Sequence, residues 1–524
     1  MKKVEHDILL RLYSKIDYKF KAIFISTFIW GFIAHGTALT NKYSMHDDIA
    51  LSLLGLTVSG GRWFLQILGD MASAFLQSPI LSLPLINGLL AILCISISAY
   101  LIITLFEVKH ISMCIAISGL MVVFPTIVGF FNYMFSAPYN GVAILLSTLG
   151  TFFICKYRNK WSVLFSIFIL SCSLGIYQAC LPFILCILLI FFIKRVDEQN
   201  MSLKQFFTFT FYLFGVCLAF VSLYFAFTQL SLWYYNTTLT DYQGISSAGR
   251  EGIKIYMQRA MYAYRYFFKP VDLFHGNMNS MFPMRNLTMY YISMIMIVII
   301  YFYKLYIQIR CKKYIKAMQA IVLVSLIPLA ENFIFVMSEP QNVHSCMTYS
   351  QVFHFILLTT LIDNVTFNCK KIYEILYVSG FLVLMLTTII YTRYANAFYL
   401  KMEFEQQRTI SYFTTLVTQI KSTVGYKDEY PVAFINVGYL SGINSDLSVR
   451  PIDVLSYFRI APLFGGNNGI TTYSWLLFIN NWLGYSPNLA DPNIFGKLPD
   501  VQKMPSYPDY GSIKIINNTV VVKF

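Results

Sequence analysis

Apolar runs long enough to cross a bilayer constrain this chain more than any other feature. A spanning helix needs about 20 mostly apolar residues. Candidate spans fall at residues 22–39, 80–106, 111–131, 138–155, 161–175, 177–193, 205–229, 287–309, 317–337, 348–366 and 372–393, eleven in all. A large water-soluble core does not need such runs, because its helices alternate apolar and polar faces. The rest of the composition agrees: 57% of the 524 residues are apolar and only 12% are charged. The pattern predicts a polytopic α-helical membrane protein.

The net charge of +14 does not mark a nucleic-acid partner. The basic residues are spread over short connections between spans, where they follow topology. With the N-terminus inside, the inner connections hold Lys109; Lys156, Arg158 and Lys160; Lys194, Arg195 and Lys204; Lys304, Arg310, Lys312, Lys313 and Lys316; and Lys370 and Lys371. The short outer connections near 131–137, 176 and 338–347 hold no Lys or Arg. Eleven spans then put the C-terminus outside. The run at 22–39 is long and lacks a small-residue cleavage pattern after it, so it reads as a retained span. Nearly all of the ten cysteines sit in apolar runs or at their basic ends, and no Cys-x-x-Cys pair occurs, which predicts neither a disulfide framework nor a thiolate metal site.

The expected organisation is a multi-span domain over 1–395 and an outer module over 396–524. The first outer loop covers 40–62. Residues 63–77 read as interfacial or re-entrant, because Asp70 and Gln77 interrupt them. A second outer loop covers 230–286. The tail opens with a helix-prone segment, Tyr399 to Lys421, that continues the last span. It then carries an extended stretch from Pro431 to Val437 and a Trp/Tyr-rich patch at 473–485. Residues Ser512 to Phe524 alternate about Asn517-Asn518 as a β-hairpin does. This predicts a small α/β module. Its Tyr473, Trp475, Trp482 and Tyr485 fit either sugar stacking or the module's own core.

Acids are rare among the spans, which draws attention to Asp47 and Asp48 in the first outer loop. Such a pair serves as a helix cap, as a divalent-cation ligand, or as a general base that takes a proton from an attacking hydroxyl. We expect at least one of the two to be catalytic, with His46 beside them and Gly60-Gly61-Arg62-Trp63 behind. The planar guanidinium of Arg62 suits a phosphate.

Between Glu251 and Lys269 the apolar residues recur at helical spacing. Lys254, Gln258, Arg265 and Lys269 fall on another arc, and Arg259 is off it. This is a basic amphipathic helix. It either anchors to anionic lipid or, with Arg62, holds a phosphate. Tyr177-Gln178 break an apolar run, as a helix connection or an interhelical hydrogen bond would. Glu331 and Glu339, near the outer end of the ninth span, are secondary candidates, since a carboxylate at membrane depth needs a partner or a water-filled cavity. No His or Cys spacing supports a zinc site.

The layout resembles GT-C-type glycosyltransferases: a long first span, an acidic pair in the first outer loop, Gly-Arg-Trp soon after, many spans and an outer C-terminal module. More narrowly, His46-Asp47-Asp48, Gly61-Arg62-Trp63 and Tyr177-Gln178 resemble the bacteriophage-type glucosyltransferases that convert the serotype of bacterial O-antigen. The resemblance implies a polyprenyl-phosphate-glucose donor, a lipopolysaccharide O-antigen acceptor, and chemistry on the periplasmic side of the bacterial inner membrane. Arg62, Lys254, Arg265 and Lys269 would then bind the donor phosphate. Asp47 or Asp48 would deprotonate the acceptor hydroxyl, and no cofactor is required, although a divalent cation is compatible with the acidic pair. An O-antigen polymerase or ligase, or a flippase for lipid-linked sugars, would share the lipid substrates and the spans. A flippase explains an outer C-terminal module poorly.

Overall fold

The structure is a computed structural model. It describes residues 16–43, 48–50, 57–77, 81–157, 159–240, 251–270, 287–340, 343, 345–364, 370–436 and 470–524. The chain divides into two compact units, one formed by residues 1–41 and 55–396, the other by 42–54 and 397–524.

The larger unit is helical. Its helices are α1 (Tyr18–Thr40), α2 (Trp63–Leu76), α3 (Pro84–Leu105), α4 (Ile111–Val123), α5 (Pro125–Phe131), α6 (Ala137–Lys156), α7 (Lys160–Ile176), α8 (Cys180–Glu198), α9 (Leu203–Tyr234) and α10 (Ile253–Phe268). There follow α11 (Leu287–Arg310), α12 (Tyr314–Ser325), α13 (Ile327–Glu331), α14 (Ile334–Met337), α15 (Phe353–Asn364) and the start of α16 (Lys370–Ser422).

Among the described residues, seven helices are long and apolar enough to cross a membrane, or eight if the bent pair α4–α5 is one span. One of the seven is the α12–α13 segment, Tyr314–Glu331. Proline begins the second half of each broken segment, at Pro125 and near the start of α13 at Pro328, as expected where a ring removes a backbone donor. The three remaining expected spans, 161–175, 177–193 and 348–366, fall on α7, α8 and α15, which are 17, 19 and 12 residues long. The last turns of α8 carry Lys194, Arg195, Asp197 and Glu198, which limits its apolar length. Residues 63–77 form the short apolar helix α2, distinct from the crossing-length set.

Small polar residues hold the helices together, since lipid offers no hydrophobic drive for helix pairing. Ser173 on α7 donates to the Ala143 carbonyl on α6 across 2.8 Å and lies 2.7 Å from the Ser147 hydroxyl. At the basic helix ends, Lys194 pairs with Glu107 at 2.7 Å and Lys304 with Asp197 at 2.6 Å.

The smaller unit contains the rest of α16, then β1 (Val432–Ile435), α17 (Ile470–Leu483), two short helices and the strands β2 (Ile513–Ile516) and β3 (Thr519–Lys523). The sheet order is β1-β3-β2, with β1 parallel and β2 antiparallel to the central β3. Asn517 and Asn518 both take positive φ, 51° and 55°, as the tight turn of the expected hairpin demands. The parallel edge strand, Val432–Ile435, lies within the expected extended stretch at 431–437. Val432, Val520 and Val522 join Phe413, Leu416 and Phe478 in the core. Trp482 stacks on Phe478 at 4.8 Å and Tyr485 is buried, so both serve this core. The side chains of Tyr473 and Trp475 and the loop at 465–469 lie outside the described residues.

Ile49 belongs to the same core, fully buried. Asn481 on α17 donates to the Ile49 carbonyl across 2.9 Å. The first outer loop, expected with the multi-span domain, therefore divides: Lys42–Leu54 groups with the C-terminal module, and the Gly60-Gly61-Arg62 turn with the helical unit.

Candidate active site

The Gly-Gly-Arg-Trp turn is built by local hydrogen bonds. Gly61 N–H donates to the Val58 carbonyl at 2.8 Å, and Arg62 N–H to the Thr57 carbonyl at 3.1 Å. The Thr57 hydroxyl returns a bond to the Arg62 carbonyl at 3.1 Å. Gly61 sits at φ +72°, a region that favours glycine. Trp63 then starts α2, buried against Phe227 at 4.8 Å between ring centres.

A second clamp comes from distant helices. Gln178, in the bend between α7 and α8, donates its amide to the Gly60 carbonyl at 2.8 Å. Tyr224 of α9 donates to the Gly61 carbonyl at 3.2 Å, and its hydroxyl accepts from Gln178 at 3.1 Å. A Cβ on Gly61 would stand 2.6 Å from the Tyr224 hydroxyl and 2.9 Å from the Gln178 nitrogen. A Cβ on Gly175 would stand 2.6 Å from the Trp63 ring. The two short motifs of the sequence, Gly-Arg-Trp and Tyr-Gln, are thus one packed constellation.

That constellation lines a cavity of about 370 Å³. Its wall is mostly apolar, with Leu181, Val221, Phe225 and Met337 among its residues, and Arg62 is the one charged residue among the described residues that line it. The Arg62 guanidinium lies over the Tyr177 ring, 5.5 Å from its centre, a cation–π contact that holds the fork in place. The cavity's chemistry is that of an apolar chamber with a cation on its wall.

The structure distributes the other candidates differently. His46 and Asp47 lie outside the described residues. Asp48 is fully buried in the smaller unit and paired with Lys42. Burial pushes the Lys42 ammonium below its usual range, and the Asp48 charge opposes that shift. Tyr43, next to Lys42, hydrogen-bonds Glu403; burial first and that carboxylate second raise its phenol above the usual range.

Lys254, Arg265 and Lys269 are exposed on α10 and do not line the Arg62 cavity; Tyr256 does. The buried face of α10 carries Arg259, which pairs with Glu251 at 2.6 Å and with Glu339 at 3.6 Å. Glu339 is thereby engaged with Arg259. Glu331 is buried, its Oε1 has no hydrogen-bond partner among the described residues, and it does not line the cavity. Its neighbour Asn332 accepts from Gln351 at 2.9 Å. No group of three or more His, Cys, Asp or Glu able to hold a metal occurs among the described residues.

Two residues, Tyr224 in this site and Arg259 on the buried face of α10, have roles that the sequence did not assign. Tyr224 is a phenol inside the apolar run 205–229, and a polar tip in such a run is a signal of an interhelical bond. Arg259 is a cation off the basic arc of an amphipathic helix, the position from which a buried ion pair reaches inward.

A family model described as Glucosyl transferase GtrII matches residues 36–358. The matched stretch contains Arg62, Gln178, Tyr224 and all of the residues named as lining the cavity. No curated protein and no solved structure matches the chain.

Proposed function

This chain belongs to the GtrII glucosyl transferase family, and from that premise we propose that it moves glucose from a polyprenyl-phosphate carrier to lipopolysaccharide O-antigen, as in serotype conversion. The observation that carries the donor class is the cavity: an apolar chamber with one guanidinium among the described residues of its wall. The lipid chain lies against Val221, Phe225 and Met337, and Arg62 meets the phosphate. The proposal retains the eleven crossings, GT-C-like in layout, with the N-terminus cytoplasmic and the C-terminus periplasmic in the bacterial inner membrane.

The chemistry is a single displacement. The acceptor hydroxyl loses its proton to a carboxylate and attacks the anomeric carbon. The bond from that carbon to the carrier phosphate breaks, and the phosphate leaves toward Arg62 with inversion at the sugar. A carboxylate that is sealed from solvent and paired with Lys42 is poorly placed to meet an incoming hydroxyl, so the base we assign is Asp47, with Asp48 holding the loop. A cation at the phosphate lowers the barrier where negative charge develops.

The decisive experiment supplies purified protein with radiolabelled polyprenyl-phosphate-glucose and O-antigen lipid. Label in the polysaccharide, with inverted configuration, supports this reading. Joined O-antigen chains without glucose transfer would favour a polymerase or ligase, and carrier movement without transfer a flippase.

A further inference from the structure

Helix α10 presents three faces, and among the described residues one of them is buried against protein while the other two are largely exposed, Tyr264 alone reaching from the apolar one to the Ser325 carbonyl at 2.7 Å. Arg259, Ala263, Tyr266 and Phe267 are buried, and the helix packs on α13 and α14. At roughly 100° per residue, Ile253, Met257, Met261 and Phe268 fall within an arc of about 80° beside that face. They are 80%, 63%, 57% and 56% exposed. The adjoining arc of about 60° holds Lys254, Gln258, Arg265 and Lys269, all exposed. Four large apolar side chains bordered by cations make a poor water-facing surface and a good interfacial one.

The place of the helix fits as well. Tyr290 and Tyr291, in the first turn of α11, donate to the carbonyls of Phe267 and Phe268 at 2.7 and 3.3 Å. The last turn of α10 is thus fixed to the end of a crossing-length helix, where a membrane boundary lies. Within its 16 residues α10 carries Lys254, Arg259 and Arg265, which does not suit a crossing helix.

We propose that α10 lies along the membrane surface. Its Met257, Met261 and Phe268 stripe sits among acyl chains, and Lys254, Arg265 and Lys269 face anionic phosphodiester headgroups. The partner is the bilayer, because the apolar arc is narrow, edged by cations, and held at a helix end. The same helix lines the Arg62 cavity through Tyr256, so its seating in lipid also fixes part of that cavity.

The test reads lipid contact and not transfer, so it stands apart from the glucosyltransferase reading. Full-length protein carrying photoreactive benzoylphenylalanine at Met261, or in a second sample at Phe268, is placed in nanodiscs of phosphatidylcholine and phosphatidylglycerol. Irradiation should yield phospholipid adducts at both positions by mass spectrometry, enriched in phosphatidylglycerol. In Lys254→Gln/Arg265→Gln/Lys269→Gln protein the adducts should persist while that enrichment falls severalfold. Absence of phospholipid adducts at both positions overturns the proposal. Enrichment that survives the triple substitution overturns its electrostatic half. Adduct formation that is displaced by added polyprenyl phosphate would return the stripe to the donor site.

Discussion

The Gln178 side-chain amide donates to the Gly60 carbonyl across 2.8 Å, joining segments 118 residues apart. This bond, with the one from Tyr224 to the Gly61 carbonyl, sets the backbone from which Arg62 enters the cavity. Gln178 and Tyr224 therefore set the position of Arg62 through a turn that contains neither of them.

Gly61→Ala should damage this arrangement twice over. An alanine at φ +72° costs about 1–2 kcal/mol, and its Cβ would meet the Tyr224 hydroxyl at 2.6 Å. We expect a loss of transfer of more than tenfold with the protein still inserted. Gln178→Glu should be worse than Gln178→Ala, because a carboxylate cannot donate to the Gly60 carbonyl. Donor KM and kcat in detergent, measured beside expression level, check both orders.

Arg62→Ala should raise donor KM, because a hydrogen bond to a charged group contributes about 1.5–3 kcal/mol, or roughly 10- to 150-fold. Arg62→Lys keeps the charge and loses the fork, so it should recover only part of the deficit. Titration with polyprenyl phosphate lacking sugar separates binding from chemistry. Equal affinity for parent and Arg62→Ala would remove Arg62 from the phosphate site.

Arg259→Ala leaves Glu251, largely buried, without its partner at 2.6 Å and releases Glu339. Removing one member of a buried pair costs about 3 kcal/mol or more. We expect early proteolytic cleavage in the connections flanking α10. Glu339→Gln, which loses only the longer contact of 3.6 Å, should behave nearly as the parent. Limited proteolysis in nanodiscs distinguishes the two.

Much of this was legible in the sequence. Helices of the right apolar length, the Asn517-Asn518 hairpin and the Gly-Arg-Trp and Tyr-Gln motifs are local signals, written in periodicity and turn chemistry. Their meeting in one constellation is not local: nothing in either motif states that Gln178 reaches Gly60. The membership of Ile49 in the C-terminal core was equally hidden, because an isoleucine three residues past His46 reads the same whether it packs on lipid or on Phe478. Lys254, Arg265 and Lys269 are exposed, as their spacing implies. Which side of the helix turns toward protein depends on Tyr256, Arg259 and their partners near Glu339, residues some 80 positions further on, and no helical wheel contains that.

The two aspartates should separate cleanly. Asp47→Asn removes the assigned proton acceptor and keeps its shape; general-base assistance is typically worth about 10²–10⁴-fold, and we expect a loss of that order with normal thermal stability. Asp48→Asn leaves Lys42 without its carboxylate in a buried setting. That is a stability defect, and it carries a pH signature. Burial already depresses the Lys42 pKa and Asp48 holds it up, so the variant depresses it further. A lysine whose folded pKa lies below its unfolded value, about 10.4, binds fewer protons folded than unfolded in the window between them. Stability then rises with pH across that window. The Asp48→Asn deficit should therefore be largest near neutral pH and shrink as the pH approaches 10, as read by thermal unfolding in detergent. Lys42→Met with Asp48→Leu removes both charges and should restore much of the stability, since an apolar pair of similar volume often replaces a buried ion pair at little cost. If Asp48→Asn is fully stable and inactive while Asp47→Asn keeps wild-type turnover, the base is Asp48, and its pairing with Lys42 must open during the reaction.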